Sequence, residues 1–316
     1  MAITREEVAF LYRSMLGREA ESDEVLDYWS TTETDPAVLG TIFVASPEFK
    51  VRHAPHFAQP QFPMAHAPDR VASGATPAQM ARLLEHMRAS WTHLGEEKPH
   101  FSVLSADIFL PETFDANAEL FWRSGEENVA LIARSLARHG FEDLSGLTCN
   151  EYGCGVGRLT LPLAARFAGV RGYDISAAHL AVARAHAEAL GVVNIEFHDT
   201  SDAIGGALEP CDVYVSIIVL QHNPPPVIDL LLRRAFESLR AGGLAYFQLP
   251  IWVDGYQFVL EDYLAAPPSR EIEMHYLPQS AVFALAAETG CEVVEARKDS
   301  WNNACESYTF AVRKRG

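Results

Sequence analysis

Positive charge is what this 316-residue chain is shortest of. It carries 25 Lys and Arg against 42 Asp and Glu, a formal net charge of −17 at pH 7. A groove that grips nucleic-acid phosphates needs clustered Lys and Arg, and no stretch clusters them beyond Arg313-Lys314-Arg315, which reads as solvated. Nucleic acid and anionic membrane surfaces are therefore disfavoured as partners. Long apolar runs are missing too, so no segment has membrane-spanning length. The first seven residues lack the basic-then-apolar design of a secretory signal. Cysteine is sparse: Cys149, Cys154, Cys211, Cys291 and Cys305 show no C-x-x-C spacing and no paired His motif. That pattern argues against a disulfide framework and for reduced thiols in a cytoplasmic protein. No dense carboxylate cluster with oxygen-ligand spacing follows the fourth expected strand, so no metal is expected. What the chain has in quantity is apolar surface. Hydrophobic residues make up 48% of it, enough for a full core, and its length suits one large domain and a small one.

The most informative stretch is Glu151-Tyr152-Gly153-Cys154-Gly155-Val156-Gly157, which closes a short strand and opens a helix. Glycines at alternate positions let the backbone turn tightly and let a ligand approach where no Cβ stands. The pattern E-x-G-x-G-x-G differs from the dinucleotide fingerprint G-x-G-x-x-G, whose third glycine falls one residue later. No Lys-Ser/Thr pair follows to grip a nucleoside triphosphate. Further on, Val170-Arg171-Gly172-Tyr173-Asp174 reads as the next strand with a carboxylate at its end, where ribose hydroxyls can be accepted. The two stretches together describe an adenosine-type ligand without a phosphate requirement.

With these motifs in order, residues 120–316 resemble a class I S-adenosylmethionine-dependent methyltransferase. The resemblance implies S-adenosyl-L-methionine as cofactor, with Gly153, Cys154, Gly155 and Gly157 under its methionine and ribose. Glu151 would order this loop near the cofactor amine. Asp174 would take the ribose hydroxyls and Ile175 one face of the adenine. Asp202, or else Asp199, would meet the adenine amino group. Val219-Leu220-Gln221-His222-Asn223-Pro224 resembles the family's fourth motif, which faces the transferred methyl. Gln221 would contact the cofactor there. His222 is the candidate general base, since an imidazole can take a hydroxyl proton near neutral pH; hydrogen bonding or a backbone-orienting role remain alternatives for it. Segments ahead of the first strand often fold over the site in this family, which makes Trp122, Arg123 and Ser124 candidate substrate residues beside ordinary packing. The aromatic insert 250–277 lies where a substrate lid belongs, with Trp252, Tyr256 and His275 as candidate contacts.

The rest of the chain organises around this core. Residues 1–52 form a helical module, opened by a capping box of Thr4 and Glu7. Phe10-Leu11-Tyr12, Leu16-Gly17-Arg18, Tyr28-Trp29 and Ser46-Pro47-Glu48-Phe49 resemble a helical module of phycobilisome-linker-like proteins and bacterial surface-polysaccharide enzymes. That implies a cap or homo-oligomer contact, or a docking module for a glycan-assembly partner. Residues 53–77, rich in proline, read as a linker, and its His53, His56 and His66 as incidental. Residues 78–140 read as a helical extension and 141–316 as the cofactor-binding domain. Strands at about 147–151, 169–173, 194–198, 211–219, 244–249, 291–297 and 308–312 alternate with helices. This predicts an α/β fold, a doubly wound seven-stranded, mostly parallel sheet, the last strand antiparallel by resemblance, preceded by a small all-helical domain. The functional expectation is a methyltransferase acting on a hydroxyl of a small molecule or glycan. N- or C-methylation of a natural product or lipid-like molecule, and a non-catalytic cofactor-binding scaffold, are the alternatives.

Overall fold

A computed structural model describes residues 3–32, 35–57, 71–253, 255–299 and 305–316. The chain divides into two compact units, Met1–Pro68 and Asp69–Gly316.

The first unit is helical. Helix α1 (Arg5–Leu11) starts with the expected capping box, Thr4 and Glu7 each satisfying the other's backbone N–H. It continues as a wider turn over Tyr12–Leu16 and stops at Gly17. Helices α2 (Asp23–Thr31), α3 (Pro36–Ala45) and α4 (Pro47–Phe57) follow. Val8, Tyr12, Leu16, Leu39, Phe43 and Phe49 form its core. Helix α4 runs on past the expected linker start at residue 53, and His53 packs tilted against Phe49 and reaches the Met15 carbonyl at 2.7 Å. Ser46 is extended and ends α3, and Pro47 at the first position with Glu48 in the first turn starts a new helix. His66 lies outside the described residues.

The second unit opens with α5 (Pro77–Glu97), started by a Thr76–Gln79 capping box, and α6 (Phe114–Arg138). Then strands and helices alternate: β1 (Thr148–Tyr152), α7 (Thr160–Ala164), β2 (Gly169–Asp174), α8 (Ala177–Ala189), β3 (Ile195–Asp199), β4 (Cys211–Ser216), α9 (Pro225–Ser238), β5 (Leu239–Trp252), α10 (Leu260–Ala265), α11 (Gln279–Glu288), β6 (Cys291–Lys298) and β7 (Glu306–Lys314). The seven strands lie in the order β3-β2-β1-β4-β5-β7-β6. Strands β1 to β5 pair in parallel, while β7 runs antiparallel to both of its neighbours. The predicted fold class therefore holds, last strand included.

Both faces of the sheet are covered, which is why the middle of β4, Val213-Tyr214-Val215, is apolar on both sides. Val213 and Val215 face the side where Val129, Ile132 and Leu136 of α6 pack with Leu163 of α7. Tyr214 faces the other side, against Leu231, Leu232 and Ala235 of α9 and Leu285 of α11. Two boundaries differ from expectation. Strand β4 ends at Ser216 rather than 219, and β5 begins at Leu239, five residues early. Ala241-Gly242-Gly243 lies within the β5 span, where the β4–β5 register shifts between Cys211 and Val213.

Candidate active site

Sheet order reverses between β1 and β4, the position where open α/β sheets leave a crevice outside their strand ends. A pocket opens there with about 770 Å³ of empty space, counting what is open to solvent. The turn after β1 makes its floor. Gly153 and Gly155 have φ of 72° and 55°, the left-handed region that side chains disfavour. A Cβ on Gly153 would stand 2.3 Å from Val219, and one on Gly155 2.5 Å from Val103. The opposite walls come that close, so only glycine fits.

Asp174 holds the floor in place. Its two carboxylate oxygens accept the backbone N–H of Gly155 at 2.7 Å and of Ser176 at 2.9 Å. The side chain thus ties the β1 turn to the head of α8, and it is only 7% exposed. Each oxygen keeps a lone pair for a ligand hydroxyl. Also on its lining stand a carboxyl and a guanidinium, Glu151 and Arg158, each 3% exposed. Glu151 accepts a hydrogen bond from the Thr160 hydroxyl at 2.6 Å. Burial raises its carboxyl to a pKa of about 8, while burial pulls the Arg158 guanidinium down to about 10. Arg158 donates to Ser124 of α6 at 3.2 Å, and its Nε has no partner.

The exit of β4 supplies the third wall, Ile217, Ile218, Val219 and Asn223. Ile218 has φ of 59°, a strained setting for a β-branched residue. A buried glutamine holds it: Gln248 Oε1 accepts the Ile218 N–H at 3.1 Å while its amide nitrogen donates to Gln221 and Ser307. The roof comes from Trp91 of α5 and from Ser102 and Val103 just after it.

Glu151, Gly153, Cys154, Gly155, Asp174 and Ile175, all expected site residues, line this pocket. Others do not. Gly157 faces α8 instead, where a Cβ would meet Ala183 at 3.3 Å. Asp202 points to solvent, 96% exposed, with Arg88 at 3.7 Å; Asp199 is exposed and caps Ser201. The apolar Ile204 lies on the pocket wall in their place. Arg123 is exposed and pairs along its own helix with Glu119 and Glu127. Trp122 stacks on His186 in a separate groove. Trp252 is buried at the end of β5 and lines neither this pocket nor the hollow described next.

Gln221 and His222 stand one step behind the wall. His222 is 7% exposed and its Nδ1–H donates to the Glu273 carbonyl at 2.8 Å. Its Nε2 meets the Gln221 amide at 3.3 Å. Burial lowers its pKa to about 4. The Gln221 carbonyl accepts the His275 N–H at 2.6 Å. The exit of β4 is thereby stitched to the 250–277 insert. His275 and Tyr256 line a second hollow there, with Phe258, Tyr263 and Glu273. The Tyr256 hydroxyl meets His275 Nδ1 at 2.7 Å, and Glu273 accepts from His275 Nε2 at 3.3 Å and from Tyr263 at 2.7 Å.

Comparison with known proteins agrees with this geometry. Residues 150–243 match the family described as a methyltransferase domain. The second unit thus carries a methyltransferase domain, and S-adenosylmethionine is the cofactor that such a domain implies.

Among individual relatives, the ubiquinone biosynthesis O-methyltransferase of Methylobacterium sp. (strain 4-46) is 36% identical over 126 residues, 37% of this chain and 49% of that one. Its counterpart in Chelativorans sp. (strain BNC1) is 31% identical over 152 residues, 43% of this chain and 59% of that one. The chain thus spans about half the length of the curated relatives it matches. The magnesium protoporphyrin IX methyltransferase of Synechocystis PCC 6803, solved with bound S-adenosylmethionine, overlays with a TM-score of 0.50 at 16% identity. It covers 77% of this chain and all of that one, a likeness of fold.

Proposed function

We propose that this protein transfers a methyl group from S-adenosylmethionine to a hydroxyl of a small molecule. The observation that carries the reading is the pocket itself. Its glycine floor admits no Cβ, and its lining holds Asp174 with spare acceptor capacity. The lining also holds a buried carboxyl and a guanidinium whose Nε lacks a partner. That set fits a nucleoside diol and a zwitterionic amino acid. When bound, the cofactor supplies a sulfonium-activated methyl, so the protein's work is to hold acceptor and methyl in line.

The names of the relatives support O-methylation, and the aromatic hollow of the 250–277 insert favours a ring hydroxyl over a glycan one. The hollow edged by Tyr256, Phe258 and Tyr263 suits a flat ring, and we place the acceptor's approach along this insert, with Tyr256 and His275 as its contacts. His222 acts by position. Its proton-bearing Nδ1 anchors the insert, its Nε2 is already engaged by Gln221, and a pKa near 4 makes it a weak base at neutral pH.

Calorimetric titration with S-adenosylhomocysteine tests the cofactor site. Asp174→Ala is expected to weaken binding at least about tenfold, because a hydrogen bond to a charged group is lost. Equal affinity in the two proteins would defeat the ribose assignment. Turnover on paired phenolic and sugar acceptors then tests the substrate class, and methylation confined to sugars would overturn the ring reading.

A further inference from the structure

Besides Arg158 Nε, the pocket lining holds a second buried polar atom for which the described residues provide no partner. His179, the third residue of α8, is 1% exposed and lines the cavity. Its Nε2 lies 2.8 Å from the Ser102 hydroxyl. Its Nδ1 makes no hydrogen bond, and the nearest charged atom is Asp174 Oδ1 at 3.7 Å, too far to be one.

The tautomer is assigned from the second partner of Ser102. That hydroxyl has one proton, and the Pro99 carbonyl stands 3.2 Å away to receive it. Ser102 then accepts from His179 Nε2–H, which leaves Nδ1 a bare acceptor. Two acceptors, Nδ1 and the Asp174 carboxylate, therefore face the same cavity side by side with no donor between them. Nδ1 left unmet in a buried site is costly, and the Asp174 oxygens, each already holding one backbone N–H, have a lone pair to spare. The group that satisfies such a pair is a vicinal diol, which brings two O–H donors on adjacent carbons.

We propose that His179 is a second ribose-reading residue, accepting one hydroxyl through Nδ1 while Asp174 accepts the other. Ser102 is its positioning residue. The helix α5 is shaped to bring this about. At Gly95 it passes so close to α8 that a Cβ would stand 2.1 Å from the Ser176 hydroxyl and 3.2 Å from the His179 ring. That close approach sets the segment carrying Ser102 against the imidazole, so the extension ahead of the sheet takes part in recognising the nucleoside as well as covering it.

The inference rests on the cofactor reading above, and its test separates the two. Dissociation constants are measured by calorimetry on the full chain for S-adenosylhomocysteine and its 2′-deoxy and 3′-deoxy analogues, with wild type and His179→Phe. The variant is expected to bind S-adenosylhomocysteine about tenfold more weakly, the effect of one hydrogen bond. For one of the two deoxy analogues, wild type and variant should bind alike, because the hydroxyl that His179 reads is gone. Equal affinity for S-adenosylhomocysteine in both proteins overturns the proposal. So does a loss of the same factor for all three ligands, the mark of a structural role. Should His179→Phe fold poorly, imidazole nitrogen NMR of the wild type decides. The His179 Nδ1 resonance must move on saturation with S-adenosylhomocysteine and move less with one deoxy analogue; an unmoved Nδ1 refutes the assignment. A wild type that binds none of the three nucleosides defeats the cofactor reading as well.

Discussion

A carboxyl buried beside an apolar wall keeps its proton until a cation arrives, and Glu151 is in that position. Desolvation raises its folded-state pKa from 4.5 to about 8. Between those values the folded chain holds a proton that the unfolded chain has released. Stability without ligand should therefore be greatest below pH 4.5, as far as this group is concerned, and should fall as pH rises through 8. Chemical denaturation of wild type and Glu151→Gln across that range checks the slope, which the variant should flatten. A ligand ammonium set beside Glu151 would favour the charged form. Binding of S-adenosylhomocysteine near pH 7 should then release a proton, seen as a dependence of the calorimetric heat on buffer ionisation enthalpy. Gly153 is a second single-residue test. Gly153→Ala combines a left-handed φ of 72° with a 2.3 Å clash at Val219. It should lower stability by about 1–3 kcal/mol in a thermal melt and abolish cofactor binding.

At the scale of elements, the exit of β4 is where strain and hydrogen bonding balance. Ile218 is left-handed, and the Gln248–Gln221–Ser307 network keeps it so. His222 extends the same network to the insert through the Glu273 carbonyl. Removing it should loosen the junction rather than remove a proton acceptor. His222→Ala is thus expected to cost about 1–3 kcal/mol of stability, since it leaves the half-buried Glu273 carbonyl without its partner. Its loss of kcat should be independent of pH between 6 and 9. A kcat that recovers with rising pH would return the role of base to His222. The helical boundaries tell a related story. Pro224 caps α9 and Pro225-Pro226 open it, well past the end of β4. The early end of β4 at Ser216 was not legible, because Ile217 and Ile218 have ideal strand chemistry and only a glutamine 30 residues later bends them out of it.

For the molecule as a whole, the division into Met1–Pro68 and Asp69–Gly316 makes a direct prediction. Every residue lining the cofactor pocket lies between Trp91 and Asn223. Expressed alone, residues 69–316 should bind S-adenosylhomocysteine with the affinity of the full chain, as calorimetry would show; a large loss would assign the helical unit a part in the site. We propose docking to a partner, or self-association, as the role of that unit. Among the described residues no helix is long and apolar enough to cross a membrane.

The antiparallel last strand came from the family resemblance, while from the linear order of residues alone came the sheet, the glycine floor and Asp174. These depend on local periodicity, on turns that only glycine can make, and on motifs within some thirty residues of one another. Tertiary structure decided what stands opposite them. Ser102 reaches His179 across 77 positions and Ser124 reaches Arg158 across 34, distances at which no local pattern signals a contact. The same holds for the candidates that fell away. Asp202 and Arg123 are the right chemistry at plausible positions, but the direction in which a loop or helix face turns is set by packing against distant partners, and packing turned both toward water.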